Sequence, residues 1–115
     1  MQSADPCVYE GKRLEVVETA RDILTHKLGL IEGARRLVRL RPFVTTDDLD
    51  PDFIPFIYVD SETDALPVGD ERQYWASEAL QKKDIEIQRA EEFYRKDIDE
   101  ACETLVQRFG NSTTL

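Results

Sequence analysis

The sequence predicts an all-α domain of four or five helices, bundle-like and dominated by one long C-terminal helix. Three observations carry that expectation. From Asp70 to Phe109 there is neither Gly nor Pro, and Leu80, Ile87, Tyr94, Ile98, Ala101, Leu105 and Phe109 recur at three, four and seven residues, the period of a helix face. A similar period runs through the first third of the chain. Helix-boundary residues (Gly29, Pro42, Asp50-Pro51, Gly110) fall between the periodic segments.

The first helix is expected over about Arg13 to Leu28, with Leu14, Val17, Ala20 or Arg21, Leu24 and Leu28 on one face and Gly29 as its C-cap. A second, roughly Leu30 to Arg41, places Ile31, Ala34, Leu37 and Val38 together and stops before Pro42, which disfavours the α conformation at Arg41. Gly33 lies inside that helix, where it costs about 1 kcal/mol relative to Ala unless a neighbouring helix crosses closely. The close crossing is the preferred explanation. Asp50 followed by Pro51 marks a third helix start, a carboxylate N-cap before proline, with Phe53, Ile54, Phe56, Ile57 and Tyr58 as its apolar residues. Pro55 sits late for a first turn, which leaves a short buried strand over Ile54 to Val59 as the alternative.

Asp60 to Gly69 reads as an acidic connector. The last helix, capped by Ser77 and ended by Gly110, carries Glu78–Lys82, Glu91–Arg95 and Glu92–Lys96 at the acid-first i,i+4 spacing. It is roughly 50 Å long at 1.5 Å per residue, more than a small domain's diameter, so one end is expected to protrude or bend. Residues 1–115 form one domain, with 1–11 and 110–115 as flexible ends. The expected core is Leu24, Leu28, Leu37, Ile57, Leu80, Ile87, Tyr94, Ile98 and Leu105.

Charge is sorted along the chain. Lys12 to Arg41 carries a net +4, whereas Pro42 to Arg72 holds nine acids against one base, out of an overall −9. That balance speaks against nucleic acid, whose phosphates are bound by Lys and Arg. No apolar run approaches the roughly 20 residues of a membrane helix. Met1 to Pro6 has neither the basic patch nor the apolar stretch of a secretory signal, so cytoplasmic residence is expected. Cys7 and Cys102 are then expected to be free thiols.

Candidate chemistry is sparse. His26 is the only histidine, and with two distant cysteines no zinc-ligand pattern is available. Asp60-x-Glu62-x-Asp64 with Glu71 at the twelfth position mimics calcium-loop spacing, but Ala65 stands where the loop needs Gly and Pro67 takes the eighth position. No cofactor or metal is expected. Glu91, Glu92, Asp97, Asp99, Glu100 and Glu103 mostly have a base three or four residues away and read as a solvated helix face.

What remains is the acid-dense segment with its aromatic neighbours. Asp60, Glu62, Asp64, Asp70 and Glu71 have no nearby base in sequence until Arg72, and Tyr58 and Trp75 flank them. These seven residues are the expected partner-binding set, complementary to a basic protein surface. A homodimer is compatible with it.

Two resemblances bear on function. Arg21-Asp22-Ile23-Leu24-Thr25-His26 is similar to the Arg-x4-His signature of HEPN ribonucleases, which implies phosphate handling by Arg21 and proton transfer by His26 at a dimer interface. Leu30-Ile31-Glu32-Gly33-Ala34-Arg35-Arg36-Leu37, Asp60-Ser61-Glu62-Thr63-Asp64, Leu66-Pro67-Val68-Gly69 and Trp75, continued by Lys83-Asp84, Glu91, Tyr94 and Ala101-Cys102, resemble a domain-of-unknown-function family of small acidic helical bacterial proteins. Proteins of that kind look like immunity proteins, which neutralise contact-delivered or Rhs-type toxins. The resemblance implies a non-enzymatic inhibitor of a toxin domain and carries over no catalytic residue. A ribonuclease and a helical scaffold or self-association module are the competing classes.

Overall fold

The computed structural model describes residues 6–110, with side chains from Tyr9 onward. Four α-helices, α1 (Pro6–Leu24), α2 (Leu30–Leu40), α3 (Ile54–Glu62) and α4 (Ser77–Gly110), and two 3₁₀ turns, Arg41–Phe43 and Gly69–Tyr74, make an all-α fold. At 34 residues, α4 is about 51 Å long and matches the molecule's longest dimension of 50 Å.

Helix α1 begins at Pro6, earlier than expected, so residues 6–11 are helical rather than part of a flexible end. Its buried face is Val16, Val17, Ala20 and Ile23, while Leu14 is 57% exposed. The helix also stops earlier, at Leu24. His26 takes the left-handed conformation (φ 64°), its N–H donates to the Ile23 carbonyl (3.2 Å), and the Lys27 N–H donates to the Asp22 carbonyl (2.9 Å). This paired bonding satisfies the last carbonyls of the helix. Leu28 is therefore off the helix face, and Gly29 is not a C-cap. In extended backbone (φ −61°, ψ 147°), it is the N-cap of α2.

Gly29 has no side chain with which to cap α2, and α4 supplies the missing acceptor. Glu91 Oε2 takes the Ile31 N–H at 3.4 Å, a carboxylate at the positive end of α2. One helical turn later, Arg95 donates to the Ile23 carbonyl at the negative end of α1. Glu91 and Arg95 thus clasp the α1–α2 corner instead of pairing with each other. Arg95 Nε also lies 3.1 Å from Asp99, and the other pairs on α4 are Lys83–Glu86 and Gln88–Glu92 rather than the expected Glu78–Lys82 and Glu92–Lys96.

Pro51 to Phe53 form a turn, and α3 proper begins at Ile54, which puts Pro55 inside its first turn. A proline there replaces an N–H that has no helical partner, so it is no obstacle, and the strand alternative is overturned. Asp50 caps the entry turn by accepting the Asp52 N–H at 3.0 Å, and Arg108 from α4 donates to both Asp50 (2.9 Å) and Asp52 (2.8 Å).

The core is one cluster. Phe53 has its ring 6.4 Å from Phe56 and 6.3 Å from Phe109, and these three pack with Ile23, Ile31, Leu37, Val59, Ile98, Cys102 and Leu105. Burial of each such side chain contributes about 1.5–3 kcal/mol. Of the expected core, Leu37, Ile98 and Leu105 are fully buried, Leu24, Leu28, Ile57, Ile87 and Tyr94 are half-buried at the rim, and Leu80, near the start of α4, is half-buried without joining the cluster. The buried residues of α4 all lie between Ile98 and Phe109. Upstream, Ile85 and Phe93 are exposed, because the rest of the molecule is too small to cover a helix of this length.

Candidate functional site

Asp60 and Glu62 lie on the last turns of α3, Asp64 follows it, and Asp70 and Glu71 belong to the 3₁₀ turn Gly69–Tyr74. The segment folds around one partly buried base. Arg35, on α2 and only 14% exposed, reaches Asp60 (3.7 Å) and Glu71 (3.1 Å), and donates to the carbonyls of Thr63 and Leu66 (2.9 Å). A guanidinium suits this post because its planar fork serves several acceptors at once. Glu71 also accepts the Val68 N–H at 3.0 Å; that hydrogen bond and the nearby Arg35 hold its carboxyl below the usual range. Gly69, with φ 67°, starts the turn in a conformation that favours glycine. Arg72 then forks onto Asp84 of α4 (2.7 and 3.0 Å).

The expectation of an acidic connector without basic partners is therefore corrected. Arg35, remote in sequence, compensates Asp60 and Glu71, and both carboxylates hold the connector in place. Glu62, Asp64 and Asp70 remain exposed and carry no ion pair among the described residues.

Tyr58 is 54% exposed on the outer face of α3, and its ring meets Tyr94 of α4 edge-on at 5.9 Å. Phe93, 78% exposed, stands 5.0 Å from Tyr94. Burial, followed by Tyr58 and Glu62, pushes the Tyr94 phenol above its usual range, and Glu62 lines the same groove as Phe93 and Tyr94. The Tyr58–Tyr94 contact separates two grooves along the α3–α4 seam. One, about 500 Å³, runs past Glu62, Lys83, Glu86, Arg89 and Phe93. The other, about 450 Å³, has an apolar floor and is edged by Asp52, Asp97 and Glu100, with no base among its lining residues.

The structure thus joins Tyr58 with Glu62 and leaves Trp75 apart. Trp75 sits in extended backbone just before α4, is 36% exposed, and lines neither groove. Some 25 Å of helix separates Ser77 from Tyr94. Phe93, Asp97 and Glu100 were not in the expected set. The adjacent Phe93-Tyr94 pair on an otherwise charged helix was the available signal.

Arg21, in the last turn of α1, lines a pocket with Arg13, Glu10 and Phe109, a pocket that His26 does not line. His26 is exposed in the left-handed turn beyond the helix. No group of three or more His, Cys, Asp or Glu residues is placed to hold a metal among the described residues. No helix among them is long and apolar enough to cross a membrane. Cys102 is a free, buried thiol, pushed up to about 12 chiefly by burial, which makes it a poor nucleophile. The side chain of Cys7 lies outside those described.

Compared with known proteins, the chain matches no family model, no curated protein and no solved structure.

Proposed function

We propose that this protein is a non-enzymatic, cytoplasmic inhibitor that binds a basic surface of a partner protein, in the manner of an immunity protein blocking a bacterial toxin domain. One observation carries the reading: Tyr58 and Phe93 stand exposed on two packed helices, and the acids around them, Glu62, Asp97 and Glu100, are not spent on internal ion pairs among the described residues. Aromatic side chains anchor interfaces because they bury a large area at small entropic cost. Unpaired acids beside them steer a basic partner and are neutralised by it on contact. Toxins acting on nucleic acid or nucleotides carry basic clefts that such a face would occlude.

A scaffold built on the α4 stripe has less support, since that stripe is buried from Ile98 to Phe109. The ribonuclease reading has less as well, given the separate surroundings of Arg21 and His26.

The test uses the intact chain as bait in a lysate of its native host, followed by association kinetics with the purified partner. Reversing Glu62, Asp64 and Asp70 to Lys is expected to leave helicity nearly unchanged, each exposed change shifting stability by only about 0.5 kcal/mol. The on-rate should fall by roughly tenfold or more, and its salt dependence should weaken. A partner bound with unchanged on-rate by both the triple variant and a Tyr58→Ala/Phe93→Ala variant, or RNA cleavage by the wild type that His26→Ala abolishes, would overturn the reading.

A further inference from the structure

We infer that the groove below Tyr58, between the start of α3 and the second half of α4, is a pocket for a single arginine side chain of the partner protein. This rests on the binding function proposed above and names the feature it recognises. The groove holds about 450 Å³ and has Ile54, Pro55 and Ala101 as its floor. Tyr58 forms one wall, and Asp97 and Glu100 stand on the opposite rim.

Each part matches one part of an arginine. The apolar floor suits a three-carbon stem, which covers hydrophobic surface while its charged head stays at the rim. The half-exposed Tyr58 ring offers a face for guanidinium stacking. Asp97 and Glu100 are three residues apart on α4 and so lie on one helix face, spaced for the forked donors of a guanidinium. Neither carboxylate has an internal ion pair among the described residues. Asp52, the third acid at the groove, is already held by Arg108 at 2.8 Å, so the unspent negative charge is confined to the Tyr58 end. The other groove carries Lys83 and Arg89 beside its acids and lacks this one-signed rim. A lysine would fill the stem site but brings a point charge that neither stacks nor forks.

The pocket is tested by NMR titration of the labelled full chain with a capped Gly-Arg-Gly peptide, against its citrulline and lysine counterparts. Saturable shifts are expected at Tyr58, Asp97, Glu100 and Ala101 with the arginine peptide. Affinity should be at least about tenfold weaker for citrulline, which keeps the shape and loses the charge, and weaker for lysine. Asp97→Asn/Glu100→Gln should abolish saturation without loss of helicity, and Tyr58→Phe should bind where Tyr58→Ala does not. Equal shifts with citrulline, equal affinity for lysine, or diffuse shifts that include Asp64 and Asp70 would overturn the inference. With the partner protein, Asp97→Asn/Glu100→Gln binding at wild-type affinity while the Glu62, Asp64 and Asp70 reversal weakens it would reject the pocket and leave the proposed function standing. Wild-type binding by both variants and by Tyr58→Ala/Phe93→Ala would reject both.

Discussion

A single glycine shows how a local cost becomes a packing requirement. Gly33 lies in α2 where α1 crosses, and a Cβ built there would stand 2.4 Å from both Cδ1 and Cγ1 of Ile23. Ile23 is fully buried and has nowhere to turn. Gly33→Ala gains about 1 kcal/mol of helix propensity and meets an overpacking cost of about 1–3 kcal/mol, so the expected outcome is a net loss of up to about 2 kcal/mol. Urea unfolding should show a lower midpoint with an unchanged slope. Adding Ile23→Val, which removes Cδ1, should recover part of the loss. The sequence exposed the need for a close crossing at Gly33, because a helix-interior glycine is otherwise unfavourable. It did not expose Ile23 as the neighbour, since the α1 face was read from Leu14 and Leu28. Helix termination at Leu24 removes Leu28 from that face, and the left-handed His26 that terminates it has no composition signal comparable to a glycine.

At the scale of elements, the acidic connector shows what a search for nearby bases overlooks. Asp60 and Glu71 looked uncompensated because their partner, Arg35, comes from α2 and meets them only after α2 and α3 have packed. Arg35 also holds the carbonyls of Thr63 and Leu66, so one side chain fixes both ends of the connector. Arg35→Met is expected to destabilise the protein by about 2–3 kcal/mol, since the half-buried acceptors lose their donor and only part of the cost is relieved by solvent. Arg35→Lys should recover less than half, because one ammonium cannot serve carboxylates and carbonyls in several directions. Hydrogen exchange should localise the damage to the amides of residues 63–72, with α1 and the second half of α4 still protected. Helix existence and the long α4 were legible because periodicity is a property of the chain itself. The proposed partner-binding face was legible only where it was carried by one element, as with Tyr58 and Glu62 on α3. Phe93, Asp97 and Glu100 join the proposed face because α4 passes α3 on that side.

For the molecule as a whole, acid is the condition that separates the opposing electrostatic terms. A net charge of −9 repels itself, and protonating exposed carboxylates relieves that repulsion as pH falls from neutrality. Asp50, buried with Arg108 donating to it, has its carboxyl lowered below the ordinary value chiefly by that hydrogen bond, and Glu71 is lowered by the Val68 N–H and Arg35. A carboxyl lowered in the folded state binds fewer protons there than in the unfolded chain, so unfolding takes protons up. Its contribution is fully present above the unfolded value of about 4 and disappears as pH falls through the lower folded one. Repulsion relief therefore acts first and loss of the Asp50–Arg108 link acts later. Stability is expected to stay level or rise slightly from pH 7 to about 5 and then fall steeply below about 4. Asp50→Asn should be less stable than the wild type at pH 7, where it loses the charged pair that joins the entry to α3 with the end of α4, and the two curves should converge in strong acid. Denaturant midpoints measured across pH for both proteins check this. Parallel curves, with the deficit of the variant unchanged at low pH, would mean that the loss does not come from the charge of Asp50 and that this charge does not join the two elements.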